Sequence, residues 1–172
     1  MIRPELDPRF DDILKLPRPL AITTIGLPGT GRTELALSLS DLLIKSEVVD
    51  MGEVRSRLCR AHQGSRLNKQ TWEVAFGDVA RIMDLGKIAI LVTSNTGPEQ
   101  RRININKLRE LGAITVVGYY LMVHSPEEAY QRKPRSNKDR LRKMYGSLST
   151  HPPSVKDGFD ILVELDAFKP YP

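Results

Sequence analysis

The chain has 172 residues, a formal net charge of +5 and one cysteine, Cys59. That length suits a single domain with a proper core, and a lone cysteine excludes an internal disulfide and fits a reducing compartment. The apolar runs are far too short to span a bilayer, and Met1-Ile2-Arg3-Pro4-Glu5 lacks a signal peptide's apolar core, so a soluble cytoplasmic protein with no membrane partner is expected. The pI near 9.4 is only mildly basic, so the clustering of the charges says more about partners than their sum.

Four prolines among charged residues, Pro4, Pro8, Pro17 and Pro19, predict an irregular arm over residues 1–19 with one short helical turn around Phe10 to Leu14. The domain proper is expected over residues 20–172. Leu20 to Ile25 is a β-type run, and it feeds into Gly26-Leu27-Pro28-Gly29-Thr30-Gly31-Arg32-Thr33. A helical pattern, Glu34 to Lys45, leaves that loop. Strand, glycine loop and helix together make the context of a phosphate-binding loop, with the spacing G-x-x-x-x-G-[basic]-[Thr]. Gly26, Gly29, Thr30, Gly31, Arg32 and Thr33 are therefore the nucleotide-binding candidates. Backbone N–H groups can turn inward on a phosphate there, and the helix start adds the positive end of its dipole. Thr33 stands where the motif places a hydroxyl on Mg²⁺. The motif's lysine is replaced by Arg32, which keeps the charge in a longer, planar, forked side chain.

A short strand, Glu47 to Val49, ends at Asp50, and Met51 to Arg60 reads as helix. Residues 61–70 read as a polar connection, and Thr71 as the N-cap of a helix from Trp72 to Leu85. Ile88 to Val92 is continuously apolar, as a strand buried on both faces would be. Helix is expected again from Pro98 to Leu111, strand from Ile114 to Val123, and a helix opening at Pro126. A basic helical stretch follows, then a last strand over Phe159 to Leu165. Alternating strands and helices predict an α/β, three-layer P-loop domain of the kinase type, with a parallel sheet of about five strands.

Three constellations carry chemistry. Asp50, just past strand two, would face the glycine loop where an acceptor hydroxyl arrives; it is the first candidate for accepting that hydroxyl's proton and Glu53 the second. Arg55 either orients the acceptor or lies on a solvated helix face, and Asp50 also suits a helix cap. Thr93-Ser94-Asn95 lies at the carboxyl end of strand three, where open α/β sheets bind ligands, and Asn95 is a substrate-binding candidate. No carboxylate ends that strand, so Mg²⁺ would rest on Thr33, the phosphates, water and Asp50. The third is Arg132 to Tyr145, a run of cations between the fourth helix and the last strand. It reads as a basic helical lid whose Arg132 and Arg135 close on the transferring group, against the plain alternative of a solvated face. Leu141 and Tyr145 have helical spacing and read as packing residues.

From Ala21 to about Leu165 the chain resembles P-loop kinases of the polynucleotide kinase group, and is also similar to zeta toxins and adenylylsulfate kinases. Gly26 to Thr33, Asn95-Thr96-Gly97-Pro98-Glu99-Gln100-Arg101 and Leu141-Arg142-Lys143-Met144-Tyr145 carry the resemblance. It implies transfer of the γ-phosphate of ATP or GTP, with Mg²⁺, to a hydroxyl on nucleic acid: a 5′-OH of DNA or RNA, or a hydroxyl on a modified base. Asp50 matches the first of the paired aspartates of adenylylsulfate kinases, and Gly52 stands where the second belongs. In the polynucleotide kinase pattern the same Gly52 occupies the general-base position. With Arg32 this leaves two alternatives, a site rebuilt around Asp50 or an impaired enzyme. A small-molecule kinase of the same fold and a non-catalytic module that holds nucleotide and nucleic acid remain the competing functions.

Overall fold

A computed structural model describes residues 12–13, 15–61 and 67–168. Of the expected turn around Phe10 to Leu14, only Asp12 and Ile13 fall among them, and both are helical. Five strands, β1 (Leu20–Ile25), β2 (Ser46–Asp50), β3 (Ile88–Val92), β4 (Thr115–Met122) and β5 (Ile161–Asp166), form one parallel sheet in the order β2-β3-β1-β4-β5. Ile22 of β1 sits level with Ile90 of β3 and Val117 of β4, which fixes the register of the central strands. After β1, six α-helices among the described residues connect and cover them: α1 (Arg32–Leu42), α2 (Met51–Ala61), α3 (Leu67–Asp84), α4 (Pro98–Glu110), α5 (Pro126–Arg132) and α6 (Lys138–Thr150).

The alternation along each central strand divides its residues between two cores. Ala21, Ala89, Leu91 and Val116 meet Val79 and Ile82 of α3, Ile105 and Leu108 of α4 and Leu141 and Leu148 of α6. Leu20, Ile22, Ile90 and Val117 meet Leu35 and Leu39 of α1 together with Ile13. Each fully buried leucine or isoleucine contributes about 1.5–3 kcal/mol, and every residue of β1 and β3 is buried. The continuous apolar run read for β3 is thus a strand covered on both faces. Among the described residues no helix is long and apolar enough to cross a membrane.

Beyond shifts of a single residue, three boundaries differ from the sequence reading. Thr71 does not cap α3; the helix begins at Leu67, and Thr71 is buried within it. Apolar periodicity is missing from the first turn of α3, which is why the helix reads as starting later. Helix α1 stops at Leu42, and Lys45 takes a left-handed φ of 61° that turns the chain into β2. Strand β5 begins at Ile161, because Phe159 instead lays its ring over Gly118, where an added Cβ would stand 2.9 Å from the ring.

Candidate active site

The ends of β1, β2 and β3 place the site. Buried Thr23 and Thr24 are polar positions in an otherwise apolar strand, and both are spent on the end of neighbouring β3. Thr23 donates to the Leu91 carbonyl at 3.1 Å, and Thr24 to the Thr93 carbonyl at 2.9 Å. Beyond them the Gly26 N–H donates to the Ser94 carbonyl at 2.9 Å. The loop after β3 is therefore laced to the base of the glycine loop.

Gly29 has a φ of 93°, and a Cβ there would lie 2.5 Å from the Ala129 carbonyl oxygen of α5, so both conformation and contact require glycine. Gly31 caps α1, also in the left-handed region. The Thr30 hydroxyl and backbone N–H both turn inward to the Leu27 carbonyl, at 2.9 and 3.3 Å, and the residue is fully buried. Thr33, in the first turn of α1, donates its hydroxyl to Asp50 Oδ2 at 2.7 Å. The other carboxylate oxygen of Asp50 accepts from the Gly52 N–H at 2.6 Å and the Glu53 N–H at 3.4 Å. Asp50 thus both caps α2 and faces the glycine loop. Gly52 contributes its backbone to that cap, and a Cβ there would approach Asp50 Oδ1 to 3.0 Å.

Arg32 is half-buried beside them and, among the described residues, makes no hydrogen bond or ion pair. Burial pushes its pKa down to about 10; Asp50 and Glu34 oppose the shift, and the nearby Arg140 adds to it. A partly desolvated cation with no hydrogen-bonded partner among the described residues suits an anion.

Two clefts meet at this point. One of about 320 Å³ runs along Gly29, Gly31, Arg32 and Thr33 under Arg132 and Lys133. The other, about 450 Å³, contains Asp50, Arg55, Trp72, Arg135 and Arg140, with Asp50 the one acidic residue in its lining. A third, about 870 Å³, opens beyond Asp50 along the edge strand β2 and includes Glu53. Its walls are ion-paired: Arg57 with Asp78 at 3.2 Å, Arg81 with Glu47 at 3.1 Å, and Lys87 with Glu47. Those two cations hold the Glu47 carboxyl below its usual range, Lys87 first.

The structure brings together Arg32, Thr33, Asp50, Arg55 and Arg135 in one cleft, and Glu53 reaches its neighbour. Arg55 is exposed and donates to Asn68 at 2.8 Å, which tethers it at the rim. Arg132 lines the glycine-loop cleft with its guanidinium 4.4 Å over the Phe168 ring, on the donor side and away from the Asp50 cleft.

Asn95 is not brought into the cleft. It is 2% exposed in a left-handed conformation, donates to Thr23 at 3.1 Å and Thr24 at 3.3 Å, and accepts from Asn104 at 2.6 Å. Arg101, 1% exposed, completes this brace by pairing with Asp157 at 2.8 Å and donating to the carbonyls of Asn95, Thr96 and His151. Leu141 is buried, and Tyr145 packs on the core and donates to the His124 carbonyl at 2.8 Å. Both are packing residues, as their spacing indicates.

Sequence reasoning missed Lys133, Arg140 and Trp72. The two cations lie inside the basic run already singled out, but spacing does not say which members face inward; Trp72, the sole tryptophan, gave no signal beyond its helix.

A magnesium ion fits the donor set. Mg²⁺ keeps several waters and takes one or two protein oxygens besides the phosphates, and Thr33 and Asp50 present such oxygens beside the loop. Among the described residues no cluster of three or more His, Cys, Asp or Glu could hold a metal without substrate.

No protein-family model and no curated relative matches the chain. Solved structures do match. A tunicamycin resistance protein from Deinococcus radiodurans superposes with a TM-score of 0.62 at 17% identity, covering 87% of this chain and 86% of that one. A chain of the Pnkp1/Rnl/Hen1 RNA repair complex gives 0.67 at 14% identity, covering 83% of this chain and 46% of its own length. A gluconokinase from Sinorhizobium meliloti gives 0.58 at 14% identity, covering 88% and 85%. The chain has the α/β P-loop kinase fold.

Proposed function

We propose that this protein is a phosphotransferase that moves the γ-phosphate of ATP or GTP to a hydroxyl on a nucleic acid. The observation that carries this reading is Arg32: a half-buried, unpaired guanidinium at the start of α1, beside the Thr33 hydroxyl and the Asp50 carboxylate. Asp50 and Glu34 offset part of its burial cost, and a phosphate would supply the hydrogen-bonded partner it lacks among the described residues.

The donor phosphates lie along Gly29, Gly31 and Arg32, with Lys133 and Arg132 above them. Thr33, with Asp50 behind it, would hold Mg²⁺, which supplies charge neutralisation to the phosphate oxygens. Each oxygen of an ionised carboxylate has two acceptor positions. Asp50 therefore retains capacity for the acceptor hydroxyl while it accepts from Thr33 and Gly52. In the transfer, the hydroxyl proton passes to Asp50, the oxygen bonds to the γ-phosphorus, and the bond to the β–γ bridging oxygen breaks. Arg135 and Arg140 face the same cleft and stabilise the charge that develops. The cleft's excess of cations over its one carboxylate suits an acceptor that carries phosphates.

A second reading, a small-molecule kinase, is favoured by the cleft beyond Asp50, where Arg57 and Arg81 are taken up in ion pairs and a neutral hydroxylated acceptor is suited. The similar structures include a gluconokinase as well as a chain of an RNA repair complex. Transfer from γ-labelled ATP and GTP to 5′-OH DNA, 5′-OH RNA, hydroxymethylated DNA, nucleosides and sugars separates the readings. Label on a polymer supports the first, and label confined to a small molecule supports the second. Nucleotide binding without any transfer leaves a non-catalytic module.

A further inference from the structure

Trp72 and Phe76 are four residues apart on α3 and so share one helical face. Their rings stack with centroids 5.3 Å apart and planes inclined at 23°. Trp72 lines the Asp50 cleft, and it also opens a second groove, about 740 Å³, between α3 and α4. That groove continues past Phe76, Gly77 and Ala80, faced by Ile103 and Leu111. Ile103 is 53% exposed, so an apolar surface is left open next to the site. The charges at its rim cancel locally, Lys69 with Glu73 at 3.8 Å and Lys107 with Glu110 at 3.0 Å. One end of this path is therefore strongly cationic, and the other is aromatic, apolar and neutral.

We infer that the groove between α3 and α4 binds the strand that trails behind the reacting hydroxyl, with the unpaired bases of single-stranded nucleic acid stacking over Trp72 and Phe76. The inference rests on the phosphotransfer reading with a nucleic-acid acceptor, and adds where the rest of that acceptor lies. Continuity decides the occupant. Because Trp72 borders both spaces, an occupant of the groove lies next to the cleft that holds Asp50. The division of chemistry agrees: Arg55, Lys133, Arg135 and Arg140 meet phosphates near the reacting end, while aromatic rings meet bases beyond it. From Trp72 to Ala80 the helix rises about 12 Å, room for a few nucleotides at the roughly 3.4 Å spacing of stacked bases. A base pair would not present its faces to this groove, so the site selects single strands.

The sole tryptophan is a built-in reporter. The probes are a 5′-phosphorylated single-stranded thymidine decamer and the matching dinucleotide, titrated against full-length protein while Trp72 emission is followed. The decamer should quench the emission and bind at least about fivefold tighter than the dinucleotide, the scale of one base–aromatic stack. Gly77 is exposed on α3 with no atom within 4 Å of an added Cβ, so its replacement leaves the packing alone. Gly77→Glu should abolish the decamer's advantage and leave dinucleotide binding unchanged, whereas Gly77→Ala should retain it. Equal binding of decamer and dinucleotide, absent quenching, or decamer binding insensitive to Gly77→Glu would each overturn the inference. Transfer to a 5′-OH dinucleotide without a decamer advantage removes the groove alone. Groove-dependent binding without transfer to any polymer keeps the groove and removes the kinase reading.

Discussion

The Thr33 hydroxyl donates to Asp50 Oδ2 across 2.7 Å, which joins the first turn of α1 to the end of β2. One contact thus couples the oxygen proposed for the metal to the proposed proton acceptor, and the same carboxylate anchors α2 through the Gly52 N–H. Asp50→Asn keeps an oxygen for that cap while it removes proton acceptance. Transfer should fall about 10²-fold or more, the scale of a general base, with little change in melting temperature. Glu53→Gln should have a smaller effect. Thr33→Ala should weaken Mg-nucleotide binding and turnover, and Thr33→Ser should restore both. Full activity of Asp50→Asn would move the role to Glu53.

Arg32 predicts a conflict between stability and function. Its folded pKa, about 10, lies below the ordinary arginine value. Between those values the unfolded chain binds more protons, so this group's contribution to stability rises with pH; below about 10 the burial penalty is present in full. At pH 7 to 8 Arg32→Met should therefore raise the melting temperature of the nucleotide-free protein. Because water still reaches the half-buried group, a gain of about 2–4 °C is expected, which corresponds to about 1 kcal/mol for a chain of this size. Nucleotide affinity should drop at least tenfold in the same variant. Arg32→Lys should give no large gain in turnover, since the pocket fits the longer group. A lower melting temperature for Arg32→Met would show that the charge is already compensated.

The basic lid should divide by position. Arg135→Ala and Arg140→Ala, both in the Asp50 cleft, should lower the rate of transfer more than nucleotide affinity. Arg132→Ala should act mainly on donor affinity, because its guanidinium lies over Phe168 beside the glycine loop. Arg142 is occupied on the outer face with Glu127 and Asp139, each at 3.7 Å, and Arg142→Ala should change neither. Equal losses at all four positions would indicate general attraction to a polyanion.

Asn95 separates bracing from binding. Its amide is shared among Thr23, Thr24 and Asn104, so Asn95→Ala strands buried polar groups and should destabilise the fold by about 1–3 kcal/mol. The KM for the acceptor should stay unchanged once the variant is assayed well below its melting temperature. A raised acceptor KM without a loss of stability would return Asn95 to the substrate site.

Local chemistry made part of this protein readable from its residues alone. Glycine spacing between β1 and α1, the apolar run of β3 and proline at the start of α5 each depend on a few neighbouring residues, and each stands where the pattern put it. The pairing of Thr33 with Asp50 was half legible, because Asp50 follows directly from ending a strand next to a glycine loop. Chain order already offered Asp50 as a cap for α2, but it could not show that Thr33 donates to the same carboxylate. Among like-charged residues the sequence offered no ranking at all. Arg101 and Arg102 are adjacent, yet one is 1% exposed within four partners and the other faces solvent. Arg132 and Lys133 are adjacent too, and the end of α5 between them sends one over Phe168 and the other toward Asp50. Helical periodicity assigns a residue to a face, whereas its partners come from parallel crossovers that join segments 50 or more residues apart, as Arg101 with Asp157 and Thr24 with Thr93. Only that tertiary convergence decided which cations line the clefts and which hold the scaffold.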